Sequence, residues 1–403
     1  MLLSEFVRRS TRALTGLYPE AEASGLVAML VEEVTGFKRY TPVIEPRTVV
    51  PVAKEAFLRE AVDRLAAGEP IQYVLGYADF CGLRLRVAPG VLIPRPETEM
   101  LVSAASAAIS SATPAVISTK AEGRAEKSPS ASPAVISSAP SCHSERSAAE
   151  SRNLLPTPAS PADGAAAPAV ISSAAPAVIS SAPSCHSERS AAESRNLLPT
   201  PAAPARVLDL CTGSGCIAWA LAARHPGLQV TGVDLSPEAL AIAASQRDFL
   251  ASRQQPVPAI SAVTFLRADI LAAPPAALSV ISTKAEGRAE KSPAEQPSAA
   301  RGFDLITANP PYVPEADRAQ MRPNVLEHEP ALALFVPDAD PLRFYRAIAR
   351  WAQALLAPGG HGIVEIHESF GSAAAALFAA AGFSDVRILP DFAGRDRFVS
   401  FSR

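Results

Sequence analysis

Cysteine is scarce: 5 in 403 residues, too few for a disulfide framework. Cys142 and Cys185 sit in copies of one repeat, and Cys211 and Cys216 flank a glycine loop. A reducing, cytoplasmic setting follows. Basic excess is absent as well. Net charge is -3 with 19% charged residues, which argues against the broad basic stripe of a nucleic-acid binder. No uncharged apolar run is long enough to span a bilayer, and the opening Met1-Leu2-Leu3-Ser4-Glu5-Phe6-Val7-Arg8-Arg9 carries charges where a signal peptide needs an apolar centre. A membrane role and secretion are therefore not expected. What remains is a chain 48% hydrophobic, long enough for more than one core.

Proline, by contrast, is plentiful: 38 residues, unevenly spread. Pro133 to Pro158 recurs letter for letter as Pro176 to Pro201, and Val116 to Pro129 recurs as Val280 to Pro293. Such strict identity in unevenly spaced, Pro/Ser-rich copies is not a solenoid. It reads as two disordered insertions, at 111–205 and 275–300. The adjacent pairs Cys142-His143 and Cys185-His186 lie inside these copies, and no metal site is expected from them.

With the insertions set aside, residues 1–75 read as a small helical N-terminal domain. Ser4 to Leu17, Glu20 to Thr35 and Pro51 to Ala67 have helical apolar spacing, stopped at Gly36 and Gly68. Residues 76–110 read as a hairpin, its turn at Pro89-Gly90, and a linker helix from about Thr98 to Ser110. From 206 to 403 strands and helices alternate, and two strands finish the chain. The fold class is α/β: a Rossmann-like, mostly parallel sheet with an antiparallel last strand.

Two strand ends carry the chemistry. Phe303 to Ala308 is an apolar strand that runs into Asn309-Pro310-Pro311-Tyr312. The prolines forbid helix there. The Asn side chain offers an acceptor oxygen and two donor hydrogens on one plane, and the tyrosine ring can cover a planar group. The stretch reads as a clamp for an sp2 nitrogen that bears hydrogens. Upstream, Asp209-Leu210-Cys211-Thr212-Gly213-Ser214-Gly215-Cys216 joins a strand to a helix, where glycines let a ligand approach the backbone. Asp234 ends the next strand, where an acidic side chain meets a ribose diol, and Asp269 ends the third, placed for an adenine amino group. Gly213-x-Gly215-x-x-Ala218 also fits a dinucleotide fingerprint. Asp209, expected beside the loop, would repel a pyrophosphate and suits S-adenosyl-L-methionine, which carries an ammonium and a sulfonium.

The chain resembles the release-factor glutamine methyltransferase family of class I S-adenosylmethionine-dependent methyltransferases. The resemblance rests on Gly68 to Gly76, Val91-Leu92-Ile93-Pro94-Arg95-Pro96-Glu97-Thr98-Glu99, Asp209 to Gly215, Asn309 to Tyr312, Glu329-Pro330 and Ala393 to Arg397. It covers nearly everything outside the insertions. It implies methyl transfer to the side-chain amide of the glutamine in a Gly-Gly-Gln loop of peptide-chain release factors. By position, Cys211, Thr212, Gly213, Ser214, Gly215, Asp234, Asp269, Ile270 and Asn309 would touch the cofactor, with Ile270 beside the adenine. Asn309, Pro310, Pro311 and Tyr312 would hold the glutamine, and Asn309, Pro310 and Tyr312 would act in catalysis. The family usually has Gly at Cys211 and an aromatic at Ile270. Catalytic roles for His328 and His367 are not expected. Residues 1–75 would be the substrate-recognition domain, and a monomer that does not bind nucleic acid directly is expected. Two alternatives stay open: an amino methyltransferase of adenine or guanine, and a cofactor-binding protein that has lost catalysis.

Overall fold

The computed structural model describes residues 1–112, 205–255, 262–279 and 302–403. Most of both predicted insertions lies outside these residues. Residues 276–279 do not: they form a helix whose Leu278 is buried in the core, so the second insertion cannot begin at 275.

The chain opens with helices α1 (Leu3–Leu14), α2 (Glu20–Thr35), α3 (Thr41–Ile44), α4 (Val52–Ala66) and α5 (Ile71–Leu75). Leu3, Phe6, Leu14, Val27, Leu30, Leu58 and Leu65 meet in one buried cluster. Spacing located α1, α2 and α4 to within a few residues. It missed α3 and α5, which are too short to show a period and begin beside Pro42 and Pro70. Gly36 ends α2 in the left-handed region at φ 78°, its N–H donating to the Glu32 carbonyl.

A hairpin follows, β1 (Tyr77–Phe80) and β2 (Leu83–Arg86), with Phe80 opposite Leu83. The turn is therefore at Cys81-Gly82, not at Pro89-Gly90 as expected. Both turn residues have positive φ, 51° and 79°, the requirement of a two-residue turn whose twist matches its strands. The residues after β2 instead lead irregularly into α6 (Pro96–Ala112). Its Leu101, Val102, Ala105 and Ile109 pack with Trp219 and Leu221.

The second half runs β3 (Arg206–Leu210), α7 (Cys216–Arg224), β4 (Gln229–Asp234), α8 (Pro237–Ser252), β5 (Val263–Arg267), α9 (Ala276–Ser279) and β6 (Phe303–Ala308). Then come β7 (Val313–Pro314), α10 (Pro323–His328), α11 (Ala331–Leu334), β8 (Phe335–Val336), α12 (Arg343–Leu355), β9 (Leu356–Glu365), α13 (Gly371–Ala380), β10 (Ser384–Pro390) and β11 (Asp396–Ser402). The main sheet has 7 strands in the order β10-β11-β9-β6-β3-β4-β5. β3 pairs in parallel with β4 and β6, and β11 is antiparallel to both neighbours, as expected. Pro358-Gly359-Gly360 forms an irregularity within β9, since Phe303 pairs with Leu356 and Leu305 with His361.

This order positions the site. The chain walks from β3 to β5 on one side, then returns to lay β6 on the other side of β3. The loops leaving β3 and β6 thus diverge and open a crevice at the carboxyl edge of the sheet, where open α/β sheets bind ligands.

Candidate functional site

A cavity of about 300 Å³ occupies that crevice. Cys211, Thr212, Gly213 and Ser214 line it from β3, Asp234 from β4, Asp269 and Ile270 from β5, and Asn309 and Pro311 from β6. Gly90 to Thr98 contribute Val91, Leu92, Pro94, Arg95 and Thr98. Of the residues expected at the site, Gly215, Pro310 and Tyr312 do not line the cavity. Gly215 caps α7 at φ 77°, where a Cβ would stand 3.0 Å from Trp219 and 3.2 Å from Phe265. Tyr312 packs against the core with its hydroxyl turned to Glu365. Among the described residues no group of His, Cys, Asp and Glu could hold a metal ion, and no helix is long and apolar enough to cross a membrane.

The glycine loop is held from behind. The Thr212 N–H donates to the Val233 carbonyl (3.0 Å), the Gly215 N–H to the Thr212 carbonyl (2.8 Å) and the Gly213 N–H to the Asp234 carboxylate (2.8 Å). Three of the loop donors that could meet a pyrophosphate are thus committed within the protein, which weakens the dinucleotide reading. The loop fits S-adenosyl-L-methionine better, a cationic group with no phosphate. Asp234 supplies a carboxylate on the wall, and Ile270, Leu235 and Ala268 supply apolar surface. Burial pushes the Asp234 carboxyl up, and the backbone N–H groups of Ser236, Gly213 and Leu235 pull it back.

Asp209 is not where the charge argument put it. It is fully buried below the loop, where it accepts the Thr212 hydroxyl at 2.6 Å and the Thr307 hydroxyl at 2.8 Å. It ties the loop to β6 and does not face the ligand. Burial raises its carboxyl from 3.8 to about 7, against the pull of those hydroxyls. The unfolded chain releases this proton near 3.8 and the folded chain only near 7. Its contribution to stability is therefore full below the lower value and is lost as pH rises through the upper one. Asp209→Asn carries no such charge. Its urea midpoints, measured at intervals from pH 4 to pH 8, should fall less than those of the wild type; parallel curves would contradict the assignment.

Cys211 adopts φ 56°, in the left-handed region. The positive φ that would make its departure from glycine matter is present. Such a conformation costs an L-residue about 1–2 kcal/mol, partly offset by the entropy glycine loses on folding. Cys211→Gly should stabilise the fold by roughly 1 kcal/mol in urea unfolding. Cys211→Ala, which keeps a Cβ, should not.

The segment from Val91 to Thr98 roofs the cavity through polar contacts across the chain. The Tyr73 hydroxyl donates to the Val91 carbonyl at 2.5 Å. The Ile93 N–H (3.1 Å) and the Arg95 guanidinium (2.6 Å) both donate to Glu329, whose side chain is 1% exposed. Thr98 donates its hydroxyl to Glu365 at 2.8 Å, and the Thr98 oxygen accepts from the Asn309 amide nitrogen at 3.2 Å. Tyr312 donates to the other Glu365 oxygen at 3.0 Å. Burial pushes the Glu365 carboxyl up, while the hydroxyls of Thr98 and Tyr312 and the charge of Arg397 pull it down. Burial, then the charge of Glu365, holds the Tyr312 phenol far above its ordinary value, so it stays a neutral donor.

Glu365 and Thr98 were not singled out in the sequence. Glu365 had a signal, being a lone carboxylate in the apolar strand run Gly362-Ile363-Val364-Glu365-Ile366, where burial demands partners. His367 and His328 lie outside the cavity lining. His367 caps a short helical turn by accepting the Ser369 N–H at 3.2 Å.

Comparison with known proteins agrees with this architecture. Residues 5–76 match the family description "PrmC N-terminal domain", and residues 207–281 match "Methyltransferase domain". A release factor glutamine methyltransferase of Bacteroides thetaiotaomicron is 29% identical over 401 residues, covering 100% of this chain and 99% of that one. One of Cereibacter sphaeroides is 40% identical over 196 residues, 49% of this chain and 59% of the relative. One of Flavobacterium psychrophilum is 24% identical over 399 residues, 99% of this chain and 98% of the relative. Helical N-terminal region, roofing segment, glycine loop and Asn-Pro-Pro-Tyr strand end thus occur together in one chain, and over its whole length that chain is similar to release factor glutamine methyltransferases.

Proposed function

We propose that this protein transfers a methyl group from S-adenosyl-L-methionine to the side-chain amide nitrogen of the glutamine in the Gly-Gly-Gln loop of peptide-chain release factors. One observation carries the reading. Asn309 stands at the end of β6 in the same cavity as the glycine loop and Asp234, with its amide nitrogen engaged by Thr98. Its oxygen is thereby left to accept a hydrogen from a second amide.

An amide nitrogen is a poor nucleophile because its lone pair is delocalised into the carbonyl. The chain's part is to position it. Asn309 Oδ1 accepts one hydrogen of the glutamine amide and the adjacent Pro310 carbonyl, though off the cavity lining, would take the other, which turns the lone pair away from them and into the cavity. The same acceptors stabilise positive charge that develops on nitrogen. They hold the surplus proton until solvent removes it. S-adenosyl-L-methionine supplies the electrophilic methyl carbon, on a sulfonium that leaves as a neutral thioether. Asp234 would take the ribose hydroxyls, Asp269 the adenine amino group, and Ile270 one face of the ring. Pro311 forms the cavity wall beside Asn309, and Tyr312, set behind it, fixes that strand end.

The reading places the enzyme in the cytoplasm, as a monomer that meets a folded protein and no nucleic acid. The test is mass spectrometry of a release factor incubated with the protein and S-adenosyl-L-methionine. The expected result is one added methyl group on the glutamine of the Gly-Gly-Gln peptide. A release factor left unmodified, with methyl incorporated into RNA or DNA, would overturn the reading.

A further inference from the structure

Asn309 is useful as an acceptor only if its amide faces the right way, and a side-chain amide is nearly symmetric in shape. Its orientation must come from its partners. Within 3.2 Å of its nitrogen stands the Thr98 oxygen, and Thr98 is 2% exposed. A hydroxyl has one hydrogen. Here that hydrogen lies on the 2.8 Å contact to Glu365, whose carboxyl oxygen accepts it. The Thr98 oxygen therefore has only a lone pair to offer Asn309, and only the NH2 side of the amide can meet it. The other Glu365 oxygen is filled by the Tyr312 hydroxyl at 3.0 Å.

We propose that Glu365 is a positioning residue for methyl transfer. Through the Thr98 hydroxyl it dictates that Asn309 presents its oxygen, not its NH2 group, to the substrate amide, and it ties Tyr312 to the same frame. The inference deepens the reading of Asn309 as an amide acceptor and rests on it. β9 delivers the carboxylate, α6 the hydroxyl and β6 the amide, so the polarity of the clamp is set by three separate elements. Glu365 does not touch substrate. Its whole effect runs through the direction of two hydrogen bonds.

The polarity can be inverted without changing shape. In Glu365→Gln the amide NH2 can donate to Thr98, which then turns its own hydrogen toward Asn309 and makes the NH2-inward orientation unfavourable. Thr98→Val removes the link and leaves the Glu365–Tyr312 contact in place. Thr98→Ser keeps the hydroxyl.

The variants are compared with wild-type protein, using a release factor and S-adenosyl-L-methionine. Glu365→Gln and Thr98→Val should each lower kcat about 10–100-fold. KM for the release factor and cofactor affinity by calorimetry should stay near wild type, and Thr98→Ser should recover most of the rate. The Asn309 side-chain NH2 resonances should shift in the first two variants and not in Thr98→Ser. Because the two variants cut one relay, their effects should not add in the double variant.

Full kcat in Thr98→Val, or unshifted Asn309 resonances in both variants, would overturn the relay. If Glu365→Gln does not fold, Thr98→Val and Thr98→Ser decide alone. A wild-type protein that binds cofactor yet never methylates glutamine would instead overturn the proposed function. The resonance shifts would still decide the relay in that case.

Discussion

Asn309→Ala should lower the rate of glutamine methylation by about 10²–10³-fold, the scale on which removal of one preorganised transition-state contact is felt. The side chain sits at a strand end where two prolines already fix the backbone, so its truncation should not move the fold. Thr98 loses only a donor to its oxygen, at a site that opens into the cavity. Cofactor affinity should stay close to wild type, because the glycine loop and Asp234 are held by bonds that do not involve Asn309. The check is single-turnover methylation together with calorimetry on S-adenosyl-L-methionine. A rate within tenfold of wild type would deny Asn309 the acceptor role. A matching collapse of cofactor binding would make it a cofactor residue instead.

Gly362→Ala should cost about 3 kcal/mol of stability. Gly362 pairs with Phe401 across β9 and β11, and a Cβ built on it would lie 2.0 Å from the phenyl ring. The ring cannot swing aside. It stacks on Phe378 at 4.3 Å and tilts against Phe383 at 4.6 Å, all in a core sealed from water. A methyl group here must distort β9 or expel Phe401. Because β9 ends at Glu365, the damage should reach the site. A lower urea midpoint accompanied by a drop in kcat would show the coupling, and an unchanged midpoint would contradict the packing argument.

The legible parts of this protein were those dictated by neighbours in sequence. Asn309 could be placed because the apolar run before it and the prolines after it fix a strand end locally. Gly213 and Asp234 could be placed because a strand–glycine–helix string admits few conformations. Asp209 shows where that reading stops. A charge has a position in a sequence but no direction, and this carboxylate turned inward to two threonines. Glu365 was passed over because its partners lie 267 and 53 residues away. No window along the chain contains them. The hairpin turn was misplaced for a related reason. Pro89-Gly90 is the stronger turn string taken alone, whereas the pairing of Phe80 with Leu83 is settled by where the two strands pack.

Asp234 enters the cavity already half engaged. One of its oxygens accepts the Gly213 N–H at 2.8 Å and the other the Ser236 N–H at 3.0 Å. The carboxylate thus cannot rotate without tearing two peptide groups from their places. The Leu235 N–H adds a third backbone bond, and the acceptor capacity that remains is offered to the cavity that Asp234 lines. If Asp234 takes the ribose hydroxyls as proposed, a sugar lacking one of them would leave part of that capacity unused. Discrimination between ribose and deoxyribose would therefore be built into the backbone that grips this side chain, before any ligand arrives.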